Sequence, residues 1–306
     1  MKYAIYVKGT RGYNVLLSIC EDELCPNPSY VILEQPDDDI AKIASRNKLS
    51  FMVQSRPQAA DHIRFMASEQ FDLIVAAGYS KIIPIEIIKS AHHGGINCHA
   101  GKLPNYRGTA VIPWQIINGE TQGEAYVLNM TEKIDDGKIL ASEPYDILPS
   151  DTAYEVSNKV NDIFNKLVPY VIYNFDNDIV PSMIDQAKGV PTTWTCRKPE
   201  DGLILWKSMY AEEVINLVRA LTIPYPGAFT IINNKKIFVN KAIINPLMLK
   251  GVSGRFVGNR GGYPTIIAKD YGVAITNCYI YDKLIIPSFF PAKYGCDCQY
   301  DLGGSI

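Results

Sequence analysis

DLIVAA at residues 72–77 and GINCH at residues 95–99 are the two stretches on which the fold turns. The first reads as a continuous buried strand and the second as a strand ending in Asn97 and His99. Working upstream, YAIYV at 3–7 is a β-branched and aromatic run that stops before Gly9 and Gly12, and a helix over about 10–19 follows. A strand at 30–34, a helix near 38–47, a short strand at 51–53 and a helix from Pro57 to about Gln70 complete the approach. Asp37, Asp38 and Asp39 suit the start of the second helix, because carboxylates complement its positive end. Strands and helices alternating at these lengths imply an α/β, Rossmann-like, mostly parallel sheet covered on both faces.

Downstream, Gly108 and Thr109 lead into a helix near 110–118 that Asn118-Gly119 stops. Strands are expected over 124–130 and 139–147, separated by the loop Ile134-Asp135-Asp136-Gly137, and Asp151 or Thr152 caps a long helix to about Phe175. Residues 176–200, with Pro181, Gly189, Pro191 and Pro199 and no sustained period, read as a linker. Beyond it, Val214, Leu217, Val218 and Leu221 fall at helical spacing. A hairpin of 228–232 with 236–239 turns at Asn233-Asn234, and strand pairs 265–269 with 273–277 and 279–281 with 284–287 follow. The expected layout is therefore a catalytic domain over 1–185 and a smaller, β-barrel-like (OB-like) domain over 200–306.

Bulk properties narrow the classes. No run of eighteen apolar residues occurs, so no membrane span is expected, and the apolar start is broken by Lys8, which reads as a buried strand and not a signal peptide. Net charge is −2, so no global field draws the chain to nucleic acid. Residues 197–306 carry 13 Lys/Arg against 8 Asp/Glu, and residues 1–50 carry 6 against 7. Seven scattered cysteines suit a reducing, cytoplasmic setting. Cys296-x-Cys298 has no second pair at matching spacing, so no metal is expected.

The turn Gly9-x-x-Gly12 is shorter than a dinucleotide fingerprint and reads as a tight strand-to-helix connection. Asn97 and His99 lie two apart on a strand, so their side chains share a face at its C-terminal end, where open α/β sheets assemble their sites. An amide donor beside a general acid/base suits acyl transfer; the alternative is a histidine that satisfies a backbone group at a turn. Lys102, Tyr106 and Arg107 suit phosphate and ring binding, or else a turn pinned by arginine. Trp114 and Trp206 read as core, His92 and His93 as helix-end residues, and Asp136 as a solvated or loop-capping carboxylate.

The segment from Ile96 to Gly108 (INCHAGKLPNYRG), with Trp114, Asn118-Gly119-Glu120 and Met130 to Gly137, closely resembles the folate-dependent formyltransferase family. Its pattern is Asn-x-His, then Leu-Pro-x-Tyr-Arg-Gly, then the aspartate of an Ile-Asp-x-Gly loop, and all three occur here in order. Residues 197–202 with Trp206, and Pro224 to Phe229, resemble the second domain of the longer members, so the likeness runs over roughly residues 70–240. It implies N10-formyltetrahydrofolate as donor and co-substrate, Asn97, His99 and Asp135 as catalytic residues, and a pterin loop at Gly78, Tyr79, Ser80, Ile83 and Pro84. In that reading Asn97 donates to the oxygen that gains charge, and Asp135 orients His99, keeps it charged when needed and relays a proton from the attacking nitrogen through water; whether His99 acts first as base or as oxyanion stabiliser stays open.

Two departures point within the family. Ala100-Gly101-Lys102 replaces the Ser-Leu-Leu of many members and looks like the branch acting on amino sugars. Residues 11–50 lack the basic insertion of the methionyl-tRNA branch. The expected acceptor is a nucleotide-linked amino-deoxy sugar, with a homodimer left open. The alternatives are a methionyl-tRNA formyltransferase, or a non-catalytic binding module in which Asn97→Ala leaves biological activity untouched.

Overall fold

The computed structural model describes residues 1–179, 181–232, 235–280 and 283–285. The Asn233-Asn234 turn, residues 281–282, the strand end at 286–287, and Cys296 and Cys298 lie outside the described residues. The first part of the chain runs β1 (Tyr3–Val7), α1 (Gly9–Glu21), β2 (Tyr30–Leu33), α2 (Asp38–Arg46), β3 (Ser50–Val53), α3 (Ala60–Ser68), β4 (Leu73–Ala77), α4 (Ile85–Ser90) and β5 (Gly95–His99). It continues with β6 (Arg107–Gly108), α5 (Val111–Ile117), β7 (Gln122–Asn129), β8 (Ile139–Asp146), α6 (Ala153–Asp176) and β9 (Thr193–Trp194).

Seven strands form one sheet in the order β3-β2-β1-β4-β5-β7-β8. The pairs from β3 to β5 are parallel, and β7 runs antiparallel to β5. All residues of β1 and β4 are buried, as their unbroken apolar runs require, whereas edge strand β3 exposes Phe51 and Val53. Gly12 lets α1 lie close on the sheet: a Cβ there would come 2.8 Å from Val7 Cβ and 3.0 Å from the Ala77 carbonyl oxygen. The Asp37 side chain caps α2 by accepting from the Asp39 and Ile40 amides.

Several boundaries move. Helix α3 begins at Ala60, three residues after Pro57. The long helix is capped by a capping box at Thr152: its amide and hydroxyl both reach the Glu155 carboxylate at 2.6 Å, while Asp151 accepts from the Leu148 amide. The stretch 176–200 is not wholly a linker, because β9 pairs in parallel with β6.

Contacts divide the described chain into two units: residues 1–111, 122–145 and 158–194, and residues 112–121, 146–157 and 195 onward. The second holds α7 (Ala211–Ala220), β10 (Ala228–Ile232), β11 (Lys235–Ile244), β12 (Phe256–Arg260), β13 (Tyr263–Ile267), β14 (Gly272–Ile280) and β15 (Lys283–Ile285). Its strands pair antiparallel in the order β10-β11-β14-β13-β12, with β15 also on β14. Strand β12, which carries Gly258 and polar Asn259 and Arg260, shows no apolar alternation and was not expected. Trp206 is fully buried, its indole N–H donating to Thr230. Trp114 is not core: it is half-buried, donates to the Thr195 carbonyl and lies under the Arg197 guanidinium. Among the described residues no helix is long and apolar enough to cross a membrane.

Candidate active site

Asn97 and His99 project from one face of β5, and both meet the carboxylate of Asp135, which rides on the loop between β7 and β8. The Asn97 Nδ2 donates to Asp135 Oδ1 at 3.1 Å, and His99 Nδ1 lies 3.3 Å from Oδ2. The Gly108 amide donates to the same Oδ2 at 2.8 Å. Asp135 holds a left-handed backbone, φ +49°, which is unusual for a residue with a side chain.

His99 is buried and its Nε2 lies 2.6 Å from the Tyr106 carbonyl. A carbonyl only accepts, so Nε2 carries the proton, and the basic nitrogen Nδ1 faces Asp135. Burial pushes the imidazole pKa below its ordinary value; the Asp135 charge and the Tyr106 carbonyl oppose that shift, and Arg11 and Arg107 add to it. Gly101 leaves the space this contact occupies: a Cβ would meet the Tyr106 oxygen at 2.4 Å and His99 Nε2 at 2.8 Å.

Asn97 and Asp135 line a cavity of about 280 Å³, whereas His99 stands behind them, outside its wall. Ile82, Ile83, Ile88, Leu128 and Met130 supply apolar lining, and Gly108, Thr109, Thr193 and Trp194 also line the cavity. Of the loop expected to hold a pterin, Ser80 and Ile83 line the cavity, and Gly78, Tyr79 and Pro84 do not. Tyr79 is held elsewhere, its hydroxyl donating to the Gln54 carbonyl. Ser80 is anchored on Glu34: its amide and hydroxyl donate to the carboxylate at 2.9 and 2.7 Å, and Lys8 Nζ reaches the same group at 2.6 Å. Burial raises the Glu34 pKa, but the hydrogen bonds from Lys8 and Ser80 outweigh it and hold the carboxyl below the usual range.

The three residues expected to meet an acceptor part ways. Lys102 is exposed. Tyr106 is buried and its ring stacks on Trp194, centroids 5.6 Å apart, so the stacking expected on a base is taken up inside the protein. Arg107 pairs with Asp136 at 2.5 Å and donates to Gln186 at 2.7 Å, which is the pinned-turn alternative. Glu34, Gln186 and Trp194 are residues that sequence reasoning missed; neither motif nor periodicity marks them.

The formyl transferase family profile matches residues 21–172, and the profile of the formyl transferase C-terminal domain matches residues 197–283. The chain belongs to the formyl transferase family. The bifunctional polymyxin resistance protein ArnA of Wigglesworthia glossinidia brevipalpis is 35% identical over 187 residues, 60% of this chain. Those residues are 28% of ArnA, so this chain spans well under half the length of that relative. The methionyl-tRNA formyltransferase of Lactobacillus acidophilus is 28% identical over 247 residues, 76% of each protein. The N-formyltransferase of Helicobacter canadensis, solved with folinic acid and dTDP-3-aminofucose, shares the fold at a TM-score of 0.65 and 18% identity, over 91% of this chain and all of that one.

Proposed function

We propose that this family member transfers the formyl group of N10-formyltetrahydrofolate to the amine of a nucleotide-linked amino-deoxy sugar, with Asn97, His99 and Asp135 as its catalytic residues. Residues 1–185 are the catalytic domain in this reading, and the smaller domain follows from about residue 200. The observation that carries it is the pairing of an amide donor and a carboxylate on the wall of one cavity that also has apolar lining. The apolar lining from Ile82, Ile83, Ile88, Leu128 and Met130 suits a flat pterin, and the polar pair on the same cavity suits attack on a formyl carbon. Bound there, the folate supplies an electrophilic formyl carbonyl.

The chain's own groups then divide the work. One Asn97 N–H is spent on Asp135, and the other is the donor for the oxygen that gains negative charge. Asp135 accepts the proton that the attacking amine sheds, and that proton goes to the departing N10 of tetrahydrofolate as the bond from N10 to the formyl carbon breaks. The neighbouring His99 Nδ1 is the next base in line, and an imidazolium formed there is held by Tyr106 on one side and Asp135 on the other. In this reading His99 acts through Asp135, and Asp135 takes the proton relay that the resemblance implies for it.

The amino-sugar acceptor draws support from Ala100-Gly101-Lys102, from the acidic balance of residues 1–50, and from the complex of the Helicobacter canadensis enzyme. Five free cysteines among the described residues fit a reducing cytoplasm. The discriminating experiment supplies N10-formyltetrahydrofolate with either dTDP-3-aminofucose or methionyl-tRNA. Formylated amino sugar is the expected product. Formylated methionyl-tRNA with no sugar product would replace the acceptor and leave the chemistry, and no transfer to any amine would remove both.

A further inference from the structure

From Ser182 to Thr193, every residue but Gln186 is exposed. Its amide Nε2 donates to two carbonyls of the catalytic loop, that of Asp135 at 2.7 Å and that of Gly137 at 2.9 Å. Its Oε1 accepts from Arg107 Nη2 at 2.7 Å, and the other terminal nitrogen of Arg107 pairs with Asp136. The segment bearing Gln186 is fixed at both ends. Ile184 exchanges backbone hydrogen bonds with Ile139 at 2.8 and 2.9 Å, and Thr193 and Trp194 pair with Arg107 and Gly108.

We propose that Gln186 is a positioning residue for formyl transfer: it holds the left-handed backbone of Asp135 so that the carboxylate stays between Asn97 and His99. A glutamine side chain offers two N–H donors and one acceptor, and here all three functions are used on one loop and its arginine. The carbonyl of Asp135 is the group whose direction changes when its φ leaves +49°, and Gln186 grips that carbonyl. With the backbone fixed there, and Gly108 N–H on Oδ2, the carboxylate has little freedom to swing away from Asn97. The sequence hides this because the residue lies in a Pro- and Gly-bearing stretch with no period.

The inference rests on the reading of Asp135 as catalytic, and the test separates the two. Gln186→Glu keeps the size and the acceptor for Arg107 but, ionised, has no donor; Gln186→Ala removes all three contacts. Both are assayed with N10-formyltetrahydrofolate and dTDP-3-aminofucose, or methionyl-tRNA if that is the acceptor formylated. A misplacement near 1 Å costs on the order of 10²-fold. We expect kcat to fall about 10–100-fold, both KM values to stay within about threefold, and the melting temperature to stay near wild type. Because a protonated glutamic acid regains one donor, the deficit of Gln186→Glu narrows as pH falls. In an Asp135→Ala background neither change costs more than about twofold further. Wild-type kcat in Gln186→Glu, equal losses with and without Asp135, or a loss that tracks only the unfolded fraction overturns the proposal. Wild-type kcat in Asp135→Ala itself overturns both it and the catalytic reading.

Discussion

Gly101→Ala tests whether the packing around His99 and Tyr106 is as tight as the geometry requires. The new methyl carbon would sit 2.4 Å from the Tyr106 carbonyl oxygen, 2.7 Å from Tyr106 Cβ and 2.8 Å from His99 Nε2. Real Cβ atoms essentially never approach a neighbour within 3.0 Å, so the Tyr106 carbonyl must retreat by about 0.6 Å or more. That oxygen is also the partner of His99 Nε2 at 2.6 Å, and both groups are buried. Overpacking costs ~1–3 kcal/mol, and leaving a buried imidazole N–H without its partner costs a further ~1–3 kcal/mol. The sum, about 2–6 kcal/mol, converts to a melting-temperature drop of roughly 4–24 °C at ~2–4 °C per kcal/mol. Differential scanning calorimetry reads it, with Gly251→Ala as control, since a Cβ there meets only Ile267 at 3.5 Å. A Gly101→Ala protein that melts with wild type and keeps its kcat would refute the tight placement of Tyr106 and, with it, the assignment of the Nε2 proton.

Two further outcomes follow from charged groups. Glu34→Gln weakens the anchor of Ser80 by ~1.5–3 kcal/mol and should raise the KM for the folate donor about tenfold with kcat little changed; an unchanged KM would detach Lys8, Glu34 and Ser80 from donor binding. His99 and His62 both have pKa values depressed by burial. The folded state then binds fewer protons than the unfolded chain, so stability is full above the unfolded histidine value of ~6.5 and is lost as pH falls through it. The urea midpoint should fall from about pH 7.5 to about pH 5.5, and less so in His62→Gln; a flat or rising midpoint counts against buried neutral imidazoles.

The sheet was legible because its strands are continuous runs such as YAIYV and LIVAA, which have few other ways to bury both faces. The meeting of Asn97, His99 and Asp135 was legible because the ordered family pattern holds all three. Residues that act through contacts remote in the chain left no such trace. Gln186 lies 51 residues from Asp135, and β9 is two residues long, so no periodicity announces either. Glu34 follows an ordinary strand, and only its placement beside Lys8 and Ser80 gives it a task. Tyr106 and Trp114 show the opposite error: an aromatic in a motif suggested an open ring and one on a helix suggested core, but Tyr106 is covered by Trp194 and Trp114 lies beneath Arg197. The neighbours that occupy these rings lie far along the chain and were not visible.

The most direct test of formyl transfer at this cavity is the single-turnover rate of Asn97→Ala, with product identified by its mass gain of one carbonyl. Loss of one oxyanion donor predicts a fall of ~10²–10³-fold in the chemical step with donor binding retained. Transfer by Asn97→Ala at the wild-type rate would contradict the account.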